Sequence, residues 1–438
     1  MTILDTEPKA MLSAIMEIIL LETGNRSARE HWQKVQLRNL LNHVTQRSAL
    51  WRSRISRTDA DLSSLRILTR QDLRTQVDLE GPLLQAADGF STRAHSTSGS
   101  SGMPVNFYVS NVNSHHNFIR SLAQYFMEGR DLSHNRTVIR EADAPIKDGI
   151  SVKKEKSWIG SLGSLIKSGE KKYIEYYNLS RKDCHKLVQE LKKDDVGYLI
   201  AGPAIMGVIS SSFNLRFLKA AKTAMWVPLG AKPDSKLREA FTDLAIPVRA
   251  TYSSEEVGMI GAECCECSGY YHVATSNVVV EVVDRRFEID GMSVGKVLVT
   301  HLHSYATPFI RYDLGDLACL RATCPCGHDG PTIYNLEGRE SSVIKRRDGR
   351  LSQFFIRGKE LQALADFTEY RMRQTAFDKI VIDFGGRSEL KADEVAMVKA
   401  FLKERAGPEF DIEVNACEQI DWGQSRKRPG FRCEIQRD

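Results

Sequence analysis

Long hydrophobic runs are missing from this sequence. The best candidate, residues 11–21, is interrupted by Glu17 and stays well short of the roughly 20 apolar residues that a helix needs to span a bilayer. The first residues include Asp5 and Glu7, where a secretory signal would carry basic side chains. We therefore expect no membrane association and a cytoplasmic location.

The net charge is also small. The sequence has 61 Lys and Arg residues against 56 Asp and Glu residues, a net charge of +5 over 438 residues. An excess this small argues against a nucleic-acid partner. With 42% hydrophobic and 27% charged residues, the composition is typical of a globular protein that can bury a sizeable core. A membrane protein, a fibre and a small disulfide scaffold are therefore excluded.

Helix-like and strand-like segments alternate through the middle of the chain, which predicts a mainly parallel sheet. β-Branched residues dominate from residue 277 and predict a β-rich subdomain. The lysine-rich segment 151–172 is interpreted as a solvated loop. A smaller α+β pattern ends the chain. We therefore predict an α/β protein with a large domain, 1–338, and a small mobile domain, 339–438.

Nine cysteines, an odd number, fit a chain in a reducing compartment. Two short Cys/His clusters that meet across a loop are how proteins build a tetrahedral zinc site, and four protein ligands would make that site structural. Isolated reduced cysteines and a nucleic-acid zinc ribbon are the alternatives, and the few Lys and Arg residues nearby disfavour the ribbon. The first cluster consists of Cys264, Cys265, Cys267 and His272, and the second, about 60 residues later, of Cys324 and Cys326.

Three polar segments carry groups that suit a nucleotide. The Ser/Thr/Gly-rich stretch 96–104 can point backbone N–H groups at phosphate oxygens, although no lysine follows Gly102 as it would in a P-loop. Residues 251–258 place a tyrosine ring beside carboxylates, which suit a flat base and Mg²⁺. Asp316 follows a glycine and can accept hydrogen bonds from ribose hydroxyls. Taken singly, these segments are also typical of a linker or a polar turn, and the basic tail 425–432 of a solvated terminus.

In this order, the segments resemble those of the adenylate-forming ligases, and within them the branch of phenylacetate–CoA ligase and coenzyme F390 synthetase. The resemblance covers most of the chain and implies that family's fold, a large N-terminal domain with mixed sheets followed by a small mobile domain. Residues 68–74 resemble the branch's LTK.DLR segment, residues 98–104 the TSGTTGxP phosphate loop, residues 230–233 the GAEP turn, residues 252–256 the YGxTE motif and residues 338–339 the GR hinge motif.

The resemblance implies a role for each matching residue. Glu256 corresponds to the magnesium ligand and Tyr252 to the residue that stacks on adenine. Asp316 would bind the ribose, Arg339 the ribose or a phosphate, and Lys427 corresponds to the C-terminal lysine of adenylation. The implied zinc ligands are Cys264, His272, Cys324 and Cys326, with Cys265 or Cys267 as replacements for Cys264. The other nucleotide-binding residues that the resemblance implies are Ser98, Gly99, Ser100, Ser101, Gly102, Gly230, Ala231, Lys232, Thr251 and Ser253.

The sequence departs from the family's motifs at several positions. Met103 takes the place of the usual lysine of the loop, and Ser253 and Glu255 take those of the glycine and threonine in YGxTE. Arg426 stands where a glycine often precedes the tail lysine. Because backbone groups and Glu256 supply most of the contacts implied for ATP, nucleotide binding is still expected.

The activity that the resemblance implies is that of an ATP-dependent ligase. A carboxylic acid, aryl or arylacetic, would form an acyl-AMP with release of pyrophosphate and then be transferred to the thiol of coenzyme A, with Mg²⁺ and a structural Zn²⁺ as cofactors. Transfer to an amine, a carrier-protein thiol or a hydroxyl is the alternative, and a non-enzymatic zinc-containing binding module is the alternative from another class. The sequence leaves the oligomeric state open between a monomer and a homodimer. Guesses at the wall of the acid pocket are His115, His116, Phe118 and Trp226.

Overall fold

A computed structural model describes the chain over residues 6–59, 61–84, 89–96, 105–142, 144–177, 181–289, 292–337, 343–348, 351–354, 356, 358–422 and 430–435. Within these residues, no helix has the length and apolar character needed to cross a membrane. The α-helices, in chain order, are α1 Thr6–Thr23, α2 Arg26–Arg47, α3 Ala49–Arg54, α4 Arg70–Glu80, α5 Asn111–Met127, α6 Arg181–Leu191, α7 Pro203–Ser212, α8 Arg216–Ala220, α9 Ser235–Asp243, α10 Gly358–Gln362 and α11 Ala392–Ala406. The β-strands are β1 Thr92–Ser96, β2 Asn106–Ser110, β3 Arg136–Glu141, β4 Ile150–Glu155, β5 Lys171–Tyr176, β6 Gly197–Ala201, β7 Thr223–Pro228, β8 Thr251–Ser254, β9 Gly258–Glu263, β10 Tyr271–Val273, β11 Val278–Ile289, β12 Met292–His301, β13 Tyr312–Arg321, β14 Thr332–Tyr334, β15 Val343–Lys345, β16 Leu351–Gln353, β17 Glu369–Ala376, β18 Lys379–Gly385, β19 Asp411–Cys417 and β20 Phe431–Cys433.

The chain divides into two compact units, and each is assembled from three stretches of sequence. The first unit combines Met1–Val35, Ser114–Val278 and Ala322–Thr332, and the second combines Gln36–Asn113, Val279–Arg321 and Ile333–Asp438. Both units therefore depend on contacts between residues that are far apart in the sequence.

A five-stranded sheet forms the centre of the first unit. Its strand order is β4-β5-β3-β6-β7, with β3, β5, β6 and β7 parallel and β4 antiparallel at one edge. In β6, Leu199 belongs to a buried cluster with residues of α6, α7 and α9, whereas Tyr198 and Ile200 belong to one with residues of α1 and α5. Because both faces are covered, every residue of β6 is buried and the strand reads as an unbroken apolar run. The parallel sheet predicted from the sequence is confirmed.

The lysine-rich segment 151–172 is folded, so the prediction of a solvated loop is wrong. Its ends belong to β4 and β5, and Trp158 between them is buried in the cluster that includes α1 and α5. Lys172 is only 5% exposed, and its Nζ lies 2.8 Å from Glu190 Oε1 and 2.9 Å from Asp194 Oδ2. Ion pairs allow lysines to lie on folded strands at the edge of a sheet, which is why charge alone misled the interpretation.

Antiparallel pairs are prominent in the second unit. β1 and β2 pair from Thr92 opposite Ser110 to Ser96 opposite Asn106. β11, β12 and β13 are successive neighbours in a sheet, with β12 and β13 antiparallel. These strands confirm the β-rich region predicted from residue 277 onward.

The last part of the chain has a hydrophobic core of its own. Four strands in the order β19-β18-β17-β20 form a sheet, in which β17 and β18 are antiparallel and the other two pairs are parallel. Ile380, Ile382 and Phe384 alternate along β18 and share a buried cluster with Val398 and Leu402 of α11. The period of two in the strand and of four in the helix gives each element one apolar face. The α+β pattern predicted for this segment is confirmed.

Arg311 joins three segments of the second unit. The side chain is almost fully buried, and its Nε and Nη2 donate to the two carboxylate oxygens of Glu281 at 2.9 Å each. Its Nη1 donates to the main-chain oxygen of Ser63 at 2.9 Å and also to that of Leu65. One guanidinium thus satisfies both a carboxylate and a loop that precedes α4.

Replacing Arg311 with Met is expected to lower the free energy of unfolding by about 3 kcal/mol, because the Glu281 carboxylate would stay in a largely buried place without its partner. Urea unfolding of wild type and variant measures the loss. Arg321→Met, at an exposed position on β13, is the control and should change the free energy by no more than about 0.5 kcal/mol. Equal losses in the two variants would contradict the role given to Arg311.

Candidate nucleotide and metal sites

The motif at 251–258 forms a β-hairpin in the first unit. β8 and β9 are antiparallel, and a three-residue turn connects them, followed by Gly258 at a φ of +69°. A turn that ends on a glycine in the left-handed region is a common hairpin geometry. Tyr252 and Glu256 are 8% and 6% exposed, whereas Glu255 is exposed. The turn therefore presents one buried and one exposed carboxylate at neighbouring positions.

Five more of the residues predicted to bind the nucleotide lie in the same unit. Gly230, Ala231 and Lys232 form an exposed turn between β7 and α9, and Gly230 has a φ of +77°. Because β7 is parallel to β6, this turn lies at the carboxyl end of a parallel strand, where open α/β sheets bind their ligands. On β8, Thr251 is half-buried and Ser253 is exposed.

Asp316, predicted to bind the ribose, belongs to the second unit. It lies on β13 and is half-buried. Gly315 before it has a φ of +80°, and its N–H donates to Asp313 Oδ1 at 2.8 Å. The Gly315 N–H is therefore bonded to the aspartate before the glycine, Asp313, and not to the one after it, Asp316.

Several predicted site residues lie outside the described part of the chain. They include the phosphate loop, which connects β1 to β2, the hinge arginine and the tail lysine. These residues are Ser98, Gly99, Ser100, Ser101, Gly102, Arg339 and Lys427. Their roles stay predictions from the sequence.

The two cysteine clusters meet in the first unit. One ligand atom from each of Cys264, His272, Cys324 and Cys326 lies within 4.8 Å of the other three. Cys326 Sγ is 3.5 Å from His272 Nε2, and Cys264 and Cys324 are buried. Three sulfurs and one imidazole nitrogen at this spacing are a donor set that Zn²⁺ prefers, and they leave no open position for catalysis. The donors present therefore fit a structural zinc ion.

Hydrogen bonds to sulfur distinguish Cys264 from its neighbours. The main-chain N–H groups of Glu266 and Cys267 donate to Cys264 Sγ at 3.4 and 3.3 Å. Such donors stabilise a thiolate, which is the form that binds a metal. Cys265 is exposed, and neither it nor Cys267 joins the group of four. The sequence left these three cysteines as alternatives, and the turn at 264–267 brings Cys264 to the others.

Burial tunes the protonation of two members of the cluster. It lowers the pKa of His272 to about 4, with a smaller contribution from His328, whose ring stacks on it at 4.2 Å between centroids. Burial raises the pKa of Cys324 to about 12. The imidazole is thus neutral at pH 7 and keeps a lone pair for a metal ion. The Cys324 thiol, in contrast, needs a nearby cation to carry its charge.

Polar contacts from distant residues support the metal-binding segments. Arg29 is 2% exposed and donates to the main-chain oxygen of Asp329, and Arg26 forms an ion pair with the Asp329 side chain. Glu263, immediately before Cys264, is 3% exposed and accepts hydrogen bonds from the Ala250 N–H at 2.9 Å and the Gly269 N–H at 3.0 Å. Sequence analysis missed Arg26 and Arg29 because Asp329 lies about 300 positions away from them, beyond the reach of any local pattern.

The residues guessed to line the acid pocket differ in how deeply they are buried. Trp226 is fully buried, stacks on Phe241 at 4.4 Å between centroids and donates through Nε1 to the Ala201 carbonyl at 3.0 Å. It is thus a core residue. On α5, His115 is exposed, and His116 and Phe118 are half-buried; the ring of Phe118 packs beside Gly160.

No protein-family model matches the sequence, and no curated protein matches it. Solved structures do match. A crystal structure of 2-hydroxyisobutyryl-CoA ligase in the postadenylation state, in complex with R3-HIB-AMP, is 17% identical, with a TM-score of 0.61 over 95% of this chain and 92% of that chain. The same ligase in complex with 2-HIB-AMP and CoA in the thioesterification state is 17% identical, with a TM-score of 0.57 over the same shares.

An acyl acid amido synthetase, GH3.15, is also similar, at 12% identity and a TM-score of 0.52 over 95% of this chain and 93% of that chain. The similarity to these enzymes extends over nearly the whole of each chain, although few residues are identical. Fold is preserved at identities where motifs are hard to recognise, and function does not follow from fold alone. The chain therefore has the fold of the adenylate-forming ligases.

Proposed function

We propose that the chain uses ATP to convert a carboxylic acid, aryl or arylacetic, into an acyl-AMP, with release of pyrophosphate, and then transfers the acyl group to the thiol of coenzyme A. The observation that carries the proposal is the fold that it shares over 95% of its length with a ligase solved with an acyl adenylate. The hairpin with a buried Tyr252 and Glu256 supports it, because the family's adenine and magnesium residues correspond to these two positions.

Activation has a plain chemical reason. A carboxylate is a poor acyl donor because its leaving group would be oxide. Attack of a carboxylate oxygen on the α-phosphate of ATP forms the mixed anhydride and expels pyrophosphate. Two anions must approach one another, so the site has to supply positive charge and hydrogen-bond donors around the α-phosphate.

Different residues of this chain would contact the magnesium ion, the phosphates, the adenine and the ribose. Bound Mg²⁺ would supply charge, and the buried Glu256 carboxylate would hold it. The N–H groups of the loop 98–102 would donate to phosphate oxygens, and Lys427 would donate to the α-phosphate. Tyr252 would stack on adenine, and Asp316 would accept hydrogen bonds from the ribose. The other proposed contacts to the nucleotide come from Gly230, Ala231, Lys232, Thr251, Ser253 and Arg339.

Two half-reactions need two arrangements of the site. We propose that residues 339–438 form a small domain that moves about a hinge at 339–342, withdraws Lys427 after adenylation and opens a path for the thiol. The separate core of β17–β20 and α11 supports a segment that is able to move as a rigid body. Structural Zn²⁺ on Cys264, His272, Cys324 and Cys326 would stay bound throughout, as the branch of phenylacetate–CoA ligase and coenzyme F390 synthetase implies.

An amine is the second candidate acceptor. The similarity to an acyl acid amido synthetase at a TM-score of 0.52 favours it over a carrier-protein thiol or a hydroxyl. Both candidates begin with the same adenylation, so they differ only in the nucleophile of the second step. A zinc-containing binding module without enzyme activity would release no pyrophosphate.

A panel of acids tests the proposal. Aryl, arylacetic, small hydroxy and amino acids are each incubated with protein, ATP and Mg²⁺, and pyrophosphate is measured. Any active acid is then incubated with coenzyme A, an amine or a carrier protein, and the product is weighed by mass spectrometry. Acid-dependent pyrophosphate together with an acyl-CoA mass is expected. An amide mass would move the assignment to the amine, and no release with any acid would refute the enzyme.

Lys427→Ala is expected to lower the acid-dependent exchange of pyrophosphate into ATP by about 100-fold, the effect of removing one donor from a developing charge. ATP binding, measured by calorimetry, should stay within about threefold, because Tyr252, Glu256 and the loop would still hold the nucleotide. Arg426→Ala removes a charge from the same tail and serves as the control. Unchanged exchange in Lys427→Ala would refute the role of the lysine.

A further inference from the structure

Asn277 is a fully buried polar residue that no motif identifies. It belongs to the first unit and follows β10 in a turn, 274–277, where its own N–H donates to the Ala274 carbonyl at 2.9 Å. Its side-chain Nδ2 donates to the main-chain oxygen of Val257 at 2.9 Å and to that of Met259 at 2.8 Å. These carbonyls flank Gly258, so one carboxamide fixes both sides of the glycine that ends the hairpin turn.

A second asparagine lies against the same glycine. A Cβ atom added to Gly258 would lie 2.8 Å from Asn117 Oδ1 on α5, closer than side-chain carbons approach. The φ of +69° at position 258 favours glycine, and this neighbour leaves little room for a larger side chain. The two hydrogen bonds from Asn277 therefore restrict a turn whose glycine would otherwise have many conformations.

Residues of α1 and α2 hold the turn at 274–277, which carries Asn277. Gln33 Nε2 donates to the main-chain oxygens of Thr275 and Val278 at 2.8 and 3.2 Å. The Ser276 N–H donates to Glu22 Oε1 at 3.2 Å, and the other oxygen of that carboxylate is paired at 2.7 Å with Arg120 Nη2. The turn at 274–277 is thus a fixed support. It contacts the hairpin through the Ala274 N–H, which donates to the Ile260 carbonyl at 2.8 Å, and through the Asn277 side chain, which alone of these two reaches the carbonyls on either side of Gly258.

Glu256 is the residue immediately before Val257. A carboxylate that holds Mg²⁺ must stay within about 0.5 Å of its productive place, and that precision comes from neighbouring residues that lock its backbone. We propose that Asn277 is a positioning residue that holds the turn so that Glu256 meets the magnesium of Mg·ATP, an inference that rests on the proposed function. The residue acts through the main chain of 257–259 and touches no substrate.

Asn277→Ala tests the inference by two measurements. The first is hydrogen–deuterium exchange of peptides that cover 252–260 in the protein without ligands, where loss of the two hydrogen bonds should raise the exchange rate at least about 10-fold. The second is the Mg²⁺ concentration that gives half-maximal, acid-dependent pyrophosphate release, which should rise about 10-fold because supporting residues of a metal site typically have effects of 10- to 100-fold. The KM for the acid should stay within twofold of the wild-type value.

Gln33→Ala is the matched control. Gln33 is also a side-chain amide that donates to two main-chain oxygens of this region, but these oxygens belong to Thr275 and Val278 and not to the hairpin. Gln33→Ala should lower the stability by a similar amount. It should change the 252–260 exchange and the Mg²⁺ dependence much less than Asn277→Ala does, because Glu22 would still hold the turn through the Ser276 N–H. Asn277→Ser keeps one donor, and its smaller shift in the same direction gives a second variant if Asn277→Ala does not fold.

Each outcome separates the inference from the function beneath it. Unchanged exchange in Asn277→Ala or Asn277→Ser would show that Asn277 does not restrain the hairpin turn. Raised exchange in an active variant with the wild-type Mg²⁺ dependence would overturn the positioning role, and so would an equal Mg²⁺ shift in Gln33→Ala. A wild-type protein that neither binds Mg·ATP nor releases pyrophosphate with any acid would refute the proposed function, and with it the role of Asn277 toward magnesium. The exchange measurement would still show whether Asn277 restrains the hairpin turn.

Discussion

Replacing Glu256 with Gln is expected to lower acid-dependent pyrophosphate release by about 1000-fold. The substitution keeps the shape of the side chain and its burial, but it removes the negative charge that would hold Mg²⁺ among the phosphates. A metal ion contributes several kcal/mol to a transition state of this kind, which corresponds to about three orders of magnitude in rate. The rate at saturating acid, measured with a coupled pyrophosphate assay, is the readout.

The neighbouring Glu255 provides the control. It is in the same turn and carries the same charge, but it is exposed where Glu256 is 6% exposed. Glu255→Gln should leave the rate within about twofold of wild type, because an exposed carboxylate is strongly screened. Should both variants lose activity equally, the general charge of the hairpin would explain the effect, and the assignment of Glu256 to magnesium would be wrong.

Replacing Cys324 with Ser is expected to abolish zinc binding and to destabilise the first unit by several kcal/mol. Structural zinc sites contribute directly to folding, so loss of one of four ligands removes the ion together with its stabilisation. Elemental analysis of the purified protein should give about one zinc per wild-type chain and far less for the variant. Thermal unfolding should show a lower midpoint for Cys324→Ser, and a chelator should lower the wild-type midpoint in the same way.

Cys265→Ser tests the same chemistry at an exposed cysteine outside the group of four. It should keep the wild-type zinc content and unfold within about 0.5 kcal/mol of wild type, because a surface substitution removes no buried contact. A wild-type protein that carries no zinc and gains no stability when zinc is added would show that the cluster is a set of reduced cysteines. Loss of zinc in Cys265→Ser would assign the ligands differently.

The order of elements could be predicted where a local pattern carries the signal. An unbroken apolar run identified β6, and the α+β pattern identified the core of β18 and α11. The cysteine clusters indicated a metal site, but spacing could not choose Cys264, because the choice depends on two main-chain N–H groups that turn toward its sulfur. The lysines on β4 and β5 led to the wrong prediction of a loop, because their ion pairs, which stabilise the two strands, cannot be identified from the sequence.

Other features have no local signal at all. The Glu22 carboxylate bonds Ser276, 254 residues away, and Asn277 bonds main-chain carbonyls 18 and 20 residues away, so neither periodicity nor composition identifies the two residues. The roles of the phosphate loop, Arg339 and Lys427 rest on the resemblance alone, and the variant of the tail lysine is their first test. Hydrogen-bond partners of this kind are set by the tertiary fold, which a single sequence records only indirectly.

The three-part construction of the first unit has a consequence for its synthesis. Arg29 leaves the ribosome early, but the Asp329 carbonyl that it binds is made about 300 residues later, and Cys264 likewise precedes Cys324. A nascent chain shorter than residue 332 therefore lacks the stretch that completes the unit, however much of its parallel sheet has formed. We expect such chains to expose apolar surface to chaperones and proteases until the last segment emerges, so that slow translation of that segment lowers the yield of folded protein.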